Sequence, residues 1–177
     1  MSSARRLSTP LAALALTVGG LALGSGSAHA AGSCSQDYLP LPDSSCTPGA
    51  TNPDVTQDTI GSTICVSGWT ATVRPSTSYT NALKTRQIAA YGYEDTSLSD
   101  YEEDHLIPLE LGGAPKDPAN LWPEPRYDTG AGVTAYSKDT VENRLKKAVC
   151  VGTVPLADAQ DAIATDWTTA LQAVGLA

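Results

Sequence analysis

The chain has 177 residues, of which 17% are charged, and a formal net charge of −8. This length suits one domain with a hydrophobic core of its own rather than an array of domains. The acidic balance counts against a protein that binds nucleic acid through a broad basic face.

Residues 1–30 have the features of an export signal. Arg5 and Arg6 give a positive start, residues 11–23 form an apolar run, and residues 28–30 (Ala-His-Ala) match a small-x-small cleavage site. The run is too short and too rich in glycine for a membrane span. We therefore expect a secreted monomer with no membrane anchor. Losing both arginines leaves nine basic residues against 19 acidic ones, a net charge of −10.

Four cysteines follow this segment, and their even number in an oxidising compartment predicts two disulfides. Three pairings are possible. We favour the one in which Cys34–Cys46 closes a local loop and Cys65–Cys150 links the start of the domain to its last third. A zinc site is not expected, because the spacing is irregular and the sequence has no Cys-x-x-Cys pair.

The first half of the exported chain predicts an arm, short strands and a helix. Residues 31–58 are rich in Ser, Pro, Asp, Gly and Thr, which indicates an extended arm. Residues 59–73 alternate β-branched with polar side chains, which predicts one or two short strands. A helix is expected over residues 78–91, stopped by Gly92, before an acidic loop over residues 93–102.

The middle of the chain predicts a hairpin. A strand leads into His105, a turn follows at Gly112-Gly113, and a second short strand is expected around residues 120–122. Both glycines are expected to need a positive φ in the turn. Residues 123–135 contain two prolines and two glycines, so they predict a loop.

The last third predicts two helices, over residues 138–149 and residues 156–174, because apolar side chains recur there at helical spacing. Ile163 and Trp167 are expected on the inner stripe of the second. We therefore predict one α+β domain over residues 59–177, in which a small β-hairpin plus helix is combined with additional helices and stabilised by disulfides.

The stretch from Asp104 to Gly113, followed by Asn120, carries the most chemical information. His105 is the only histidine after residue 30. Hydrolysis of a phosphodiester needs a base for water, a cation for the developing charge and a group that orients the base. Histidine is a suitable base near neutral pH, and Asp104 is a hard oxygen ligand for a divalent ion. Asn120 can return across a hairpin and hold the His105 turn.

This stretch resembles the HNH branch of the ββα-metal (His-Me finger) nucleases. That family has Asp-His at a strand end, a Gly-Gly loop, Asn-Leu on the second strand and a metal ligand on the next helix; the resemblance covers roughly residues 102–149. It implies the ββα-metal motif, with His105 as general base, Asp104 as metal ligand and Asn120 as the residue that supports the turn. The implied activity is that of a secreted metal-dependent endonuclease. Its substrate would be DNA, with RNA left open, and its sequence specificity low.

The third family position departs from this pattern. Family members commonly have a histidine on the helix, whereas this chain has Glu142 and Asn143 in the corresponding region. Either is a possible metal ligand, and we prefer Glu142 because it flanks the apolar stripe of the helix while Asn143 points away from it. Oxygen ligands without a thiolate favour Mg²⁺, with Mn²⁺ or Ca²⁺ as alternatives.

A dense basic cluster lies on the same predicted helix. Its members are Lys138, Arg144, Lys146 and Lys147. Two interpretations stay open: these side chains bind the phosphates of a nucleic-acid substrate, or they form a solvated face that complements the helix dipole.

Two other functions fit parts of the sequence. A catalytically inactive secreted binding module on the same scaffold is favoured by the missing helix histidine and the charge of −10. A glycosidase that uses two carboxylates is the second alternative. Acids such as Glu103, Glu110 and Glu124 are too common to single out a pair, and this function leaves His105 without a role.

Overall fold

The computed structural model describes residues 33–177. The predicted export signal, residues 1–30, lies outside the described residues. The described part contains five α-helices, four short 3-10 turns and one two-stranded sheet, and so forms a small α+β fold.

An antiparallel hairpin carries the Asp-His motif. Strand β1 spans Tyr101–His105 and strand β2 spans Leu121–Pro125, with His105 opposite Leu121. The expectation of a strand that ends at His105 and pairs with a second strand near residue 121 is confirmed. The motif histidine therefore lies at the end of β1, where the chain leaves the sheet.

Five helices surround the hairpin in the described part: α1 (Trp69–Val73), α2 (Thr77–Ala90), α3 (Ala135–Cys150), α4 (Leu156–Asp166) and α5 (Ala170–Ala173). Helix α2 confirms the prediction and begins after Ser76, whose hydroxyl accepts a hydrogen bond from the backbone of Tyr79. Helix α3 begins earlier than expected because Thr134 and Ser137 form a reciprocal capping box.

The prediction of strands over residues 59–73 is wrong. The segment contains a 3-10 turn, Ile60–Ser62, and helix α1. Its threonines bind local carbonyls: the hydroxyl of Thr59 donates to Asp54, and that of Thr63 donates to Thr59. Short polar side chains that bind nearby backbone in this way compete with strand pairing.

Strand β2 extends further than expected and includes two prolines that the sequence placed in a loop. The Arg126 N–H donates to the Asp100 carbonyl at 2.9 Å, just beyond the last pair of the ladder. In an antiparallel ladder, bonded and non-bonded pairs alternate, so Pro123 and Pro125 fall on the non-bonded pairs. An N–H group at either position would face away from β1, so the two prolines remove no hydrogen bond from the two-stranded sheet.

The predicted last helix is divided into α4 and α5. A carboxylate oxygen of Asp166 accepts hydrogen bonds from the backbone and the hydroxyl of Thr168, at 2.9 and 2.6 Å, and this turn ends α4. The expected inner residues Ile163 and Trp167 are buried. The indole of Trp167 also donates to the carbonyl of Pro40 at 3.0 Å, which fixes the N-terminal arm against this helix pair.

The arm, residues 33–58 of the described chain, is irregular as expected and packs against the loop between the strands. The Ala114 N–H donates to the Ala50 carbonyl, and the Asn52 N–H donates to the Gly112 carbonyl, both at 2.8 Å. The arm is therefore part of the scaffold of the hairpin.

Two apolar clusters form the core of the described residues. The larger joins α3 and α4 and includes Leu145, Val149 and Ile163. The smaller packs Trp122 of β2 against α2, with Tyr91 as a neighbouring ring at 6.4 Å. The hairpin is thus fixed to α2 by aromatic packing.

Both predicted disulfides are confirmed. Cys34 is bonded to Cys46, and Cys65 is bonded to Cys150 at the end of α3. Two disulfides are compatible with an extracellular protein. Within residues 33–177, the helices are too short or too polar to cross a membrane.

The two disulfides are expected to differ in their contribution to stability. They close loops with sequence separations of 12 and 85 residues, and loop-closure entropy predicts about 3 kcal/mol for the shorter and about 4.5 kcal/mol for the longer. Replacing Cys65 and Cys150 together by Ser should lower the free energy of unfolding more than replacing Cys34 and Cys46. Urea denaturation of both double variants measures the difference. An equal loss in the two would contradict the loop-length argument.

Candidate functional site

His105 is buried at the end of β1 and held in one tautomer. Its ring Nε2 lies 3.0 Å from the carbonyl oxygen of Pro115. Because a carbonyl only accepts, Nε2 carries the proton in the neutral ring and Nδ1 keeps a lone pair. Burial lowers the pKa of His105, although the Asp104 carboxylate opposes this shift. The imidazole is therefore neutral near pH 7, as a general base requires.

His105 lines a polar cleft with a volume of about 200 Å³, which we call the His105 cleft. Its walls come from β1, the following turn, α1 with the linker after it, and α3. Besides His105, six lining residues have side chains that can ionise: Arg74, Glu102, Asp104, Glu110, Asp139 and Glu142. The cleft thus combines one candidate base with one arginine and several carboxylates.

Asn120 holds the backbone immediately after His105. Its amide oxygen accepts from the Ile107 N–H, and its amide nitrogen donates to the Ile107 carbonyl, both at 2.9 Å. The same nitrogen donates to the Ala114 carbonyl at 3.2 Å. Asn120 is completely buried, so these bonds are formed out of competition with water. The side chain therefore joins the start of the hairpin loop to its end, and a role in catalysis stays a prediction.

The glycine pair serves this contact in two ways. Gly112 has a φ of 75°, the positive value expected from the sequence. The same expectation is wrong for Gly113, which does not have a positive φ. Gly113 is required because a Cβ there would lie 1.7 Å from the Ile107 carbonyl oxygen and 2.7 Å from the Asn120 amide nitrogen. A side chain at residue 113 would therefore separate the two groups that fix the turn.

Lys138 lies inside the fold, whereas the sequence suggested an exposed phosphate contact. Its side chain is 1% exposed. The ammonium donates to a carboxylate oxygen of Asp104 at 2.6 Å, to the His105 carbonyl at 2.8 Å and to a carboxylate oxygen of Glu142 at 2.5 Å. An ammonium has three N–H donors, and all three are used, so none remains for a substrate phosphate.

The charges around Lys138 depend on one another. Burial opposes ionisation of Asp104, but the Lys138 ammonium outweighs it and holds the pKa of Asp104 below its usual value. Glu124 is 3% exposed, and burial together with the nearby Asp104 carboxylate raises its pKa well above the ordinary range. Burial also raises the pKa of Glu142, to about 8, against the opposing effect of Lys138. Burial and the neighbouring carboxylate thus favour the protonated form of Glu124, whereas Lys138 favours the ionised form of Asp104.

The expected metal ligands do not fit a divalent ion in this arrangement. One carboxyl oxygen of Asp104 and one of Glu142 are both bound to the Lys138 ammonium. Among residues 33–177, no three His, Cys, Asp or Glu side chains are grouped so that they could hold a metal ion. Dependence on a divalent cation stays a prediction from the sequence.

The other residues expected on α3 are spread over different surfaces. Asn143 is exposed at the His105 cleft, and its amide donates to the Asp139 carbonyl of its own helix. Lys146 is half-buried near Glu110. Arg144 and Lys147 line a separate depression, where Arg144 donates to the Leu176 carbonyl. The basic cluster of the sequence is therefore not one surface.

Arg74 is an exposed residue of the His105 cleft that the sequence did not indicate. It follows α1, far from the motif in sequence, and the strands predicted there concealed its position. Its positive charge acts on His105 and on Glu110. Residues 69–74 pack against the turn after β1, and this brings Arg74 to the cleft. A contact between segments so far apart in the chain cannot be predicted from a local sequence pattern.

Comparison with protein-family profiles, with curated proteins and with solved structures gives no match to this chain. The resemblance to HNH nucleases accordingly rests on the residues of the motif alone and stays a prediction from the sequence.

The protonation of His105 can be measured directly. We expect its NMR titration to have a midpoint below about 6.5, the value for an unperturbed histidine, because burial disfavours the imidazolium. Since the unfolded chain then binds this proton more readily, the contribution of His105 to the free energy of unfolding is lost as the pH falls below about 6.5. The signal is assigned by its loss in His105→Gln. A midpoint above that of free histidine would contradict the burial argument.

Replacing Asn120 should destabilise the turn. Asn120→Ala leaves the N–H and carbonyl of Ile107 without their partner, which should lower the free energy of unfolding by about 2–4 kcal/mol. Asn81, exposed on α2, is a matched control whose replacement by Ala should change it by less than about 0.5 kcal/mol. Urea denaturation gives both values, and hydrogen exchange at the Ile107 amide reports the local effect. Equal, small losses in both variants would refute the role of Asn120.

Proposed function

We propose that the protein hydrolyses phosphodiester bonds in nucleic acid, with His105 as the general base. The observation that carries the proposal is the placement of His105: at a strand end, lining a polar cleft, with its Nε2–H committed to the Pro115 carbonyl. A base needs a neutral ring, a fixed orientation and access to water. The buried contact supports the first two, and the cleft supports the third.

The chemical step follows from these groups. Nδ1 of His105 accepts a proton from a water molecule in the His105 cleft while the water oxygen forms a bond to phosphorus. The bond between phosphorus and the departing sugar oxygen breaks, and that oxygen takes a proton from solvent. The imidazolium then returns its proton to solvent. The hydrogen bonds between Asn120 and Ile107 keep the backbone next to His105 in one position during these steps.

Arg74 is proposed as the phosphate contact. It is the exposed cation among the described residues that line the His105 cleft, and a guanidinium offers several N–H donors to phosphate oxygens. Its charge would offset the negative charge that builds on the phosphate during attack. DNA and RNA both present this group, so the substrate proposed is nucleic acid without base specificity.

The compartment proposed is the outside of the cell. Of the two disulfides, one closes a local loop and the other joins residues 85 apart in sequence, and such bonds persist in oxidising surroundings. Extracellular nucleic acid is the substrate that a secreted enzyme of this kind would meet.

A second candidate function is a secreted binding module without catalysis. The acidic lining of the His105 cleft favours it, because Glu102, Glu110 and Asp139 surround a single exposed arginine. Carboxylates repel a phosphodiester unless cations or protons offset their charge. Burial raises the pKa of Glu102 and of Glu110, which lessens this repulsion in mildly acidic conditions.

The two candidates are separated by an assay of plasmid DNA and of RNA cleavage. Native protein with both disulfides formed should cut at least one substrate, and His105→Gln should lose that activity by about a hundredfold or more, since general-base catalysis contributes that much. Reactions are run with Mg²⁺, with Mn²⁺ and with EDTA. Circular dichroism in the near ultraviolet shows whether the variant keeps its fold. Equal cutting by native protein and a folded variant would refute His105 as the base.

Two arginines provide a matched comparison in the same assay. Arg74→Ala should weaken cleavage at low substrate concentration, because a phosphate contact is lost. Arg144→Ala should change it little, since Arg144 lies in the separate depression with Lys147. Absence of cutting by the folded native protein in every condition would favour the binding module.

A further inference from the structure

The Lys138 ammonium is bound in the way that a metal ion would be. We propose that Lys138 is the resident cation of this site and takes the place of a divalent ion between Asp104, Glu142 and the His105 carbonyl. Which cation occupies the site does not depend on whether the protein is an enzyme. Only the consequence for nucleic-acid cleavage rests on the proposed function.

The coordination of the ammonium is complete. Three oxygen atoms from three residues lie between 2.5 and 2.8 Å from Nζ. One is a carboxylate oxygen of β1, one is a main-chain carbonyl, and one is a carboxylate oxygen on the next turn of α3. Hard oxygen atoms of these types are the ligands that Mg²⁺, Mn²⁺ and Ca²⁺ take in proteins.

A second cation could not share these oxygen atoms. A divalent ion bound to Asp104 and Glu142 would sit about 2.0–2.6 Å from their oxygens. It would then lie beside the ammonium, which is bound to the same carboxylates and is 1% exposed. Two positive charges so close repel strongly where one of them, the Lys138 ammonium, is shielded from water. The ammonium and the ion are therefore alternatives.

The ammonium also differs from an ion in being part of the chain. A chelator cannot remove it. Its three N–H groups meet two carboxyl oxygens and one carbonyl oxygen, so it leaves the site only if the fold opens or Lys138 is replaced. The ammonium binds the main-chain carbonyl of His105 and would affect a substrate only by fixing where His105 lies. Lys138 is therefore a positioning residue.

Lys84 provides an internal comparison. It is also buried, at 8% exposure, but its ammonium donates to the carbonyls of Leu98 and Tyr101. Both lysines are removed from water, and Lys138 alone of the two has direct carboxylate contacts. Replacement of either by Met removes a buried ammonium, but only Lys138→Met frees carboxylate oxygens to bind an ion.

The test measures binding of Mn²⁺ alone by electron paramagnetic resonance, in native protein, Lys138→Met and Lys84→Met. Lys138→Met should gain one Mn²⁺ site that is tighter than any in native protein by about tenfold or more. Lys84→Met should gain none. Adding Glu142→Gln to Lys138→Met should remove the gain. A folded Lys138→Met that binds no better than native protein would overturn the proposal.

Native protein supplies a second test that does not depend on the folding of Lys138→Met. With ¹⁵N-labelled lysine, the Lys138 ammonium should give an NMR signal that Mn²⁺ leaves unbroadened. Native binding of Mn²⁺ that Glu142→Gln abolishes, or strong broadening of the Lys138 signal, would show the ion and not the ammonium as the cation of the site.

Activity separates this inference from the proposed function. Cleavage of plasmid DNA that persists in EDTA supports the resident ammonium. Cleavage that needs Mn²⁺ and is lost in Glu142→Gln overturns the inference while leaving His105 as the base. If no cleavage occurs at all, the proposed function fails, and the Mn²⁺ measurements still decide which cation the site holds.

Discussion

The contact between Asn120 and the backbone of Ile107 is the constraint on which the site depends. Two hydrogen bonds of 2.9 Å join a side chain at the start of β2 to the residues just after β1. They close the hairpin at the end where His105 leaves the sheet, and they require Gly113 to have no side chain. The position of the imidazole is thus set by contacts with the backbone at Ile107 and Pro115.

Lys138 joins α3 to this hairpin by charge. Its ammonium binds Asp104 and the His105 carbonyl on β1, and Glu142 on its own helix. A buried charge of this kind is tolerated because each N–H has a partner, and removing the ammonium would leave Asp104 and Glu142 without their shared counter-charge. The arrangement favours one specific orientation of α3 against the hairpin. Apolar packing by Leu145 and Val149 supplies most of the attraction between the helix and the core.

The sequence predicted the parts of the structure that depend on local or paired signals. Gly92 after α2 and the apolar spacing of α3 indicated their helices, and the Asp104–Gly113 motif indicated the turn. Residues 59–73 were predicted wrongly because β-branched threonines bind local carbonyls there, which composition does not reveal. The burial of Lys138 was missed since its partner Asp104 is distant in the chain, and helical spacing alone does not say which structure a helix face meets.

The bond between Cys65 and Cys150 joins the C-terminal end of α3, the helix that carries Lys138, to the segment before α1. In the reducing interior of a cell both sulfurs would remain thiols, and α3 would lack this covalent anchor. In that form α3 would be held to the hairpin by apolar packing and by the Lys138 contacts alone, so the disulfide sets how far the helix can move from the strand that carries His105.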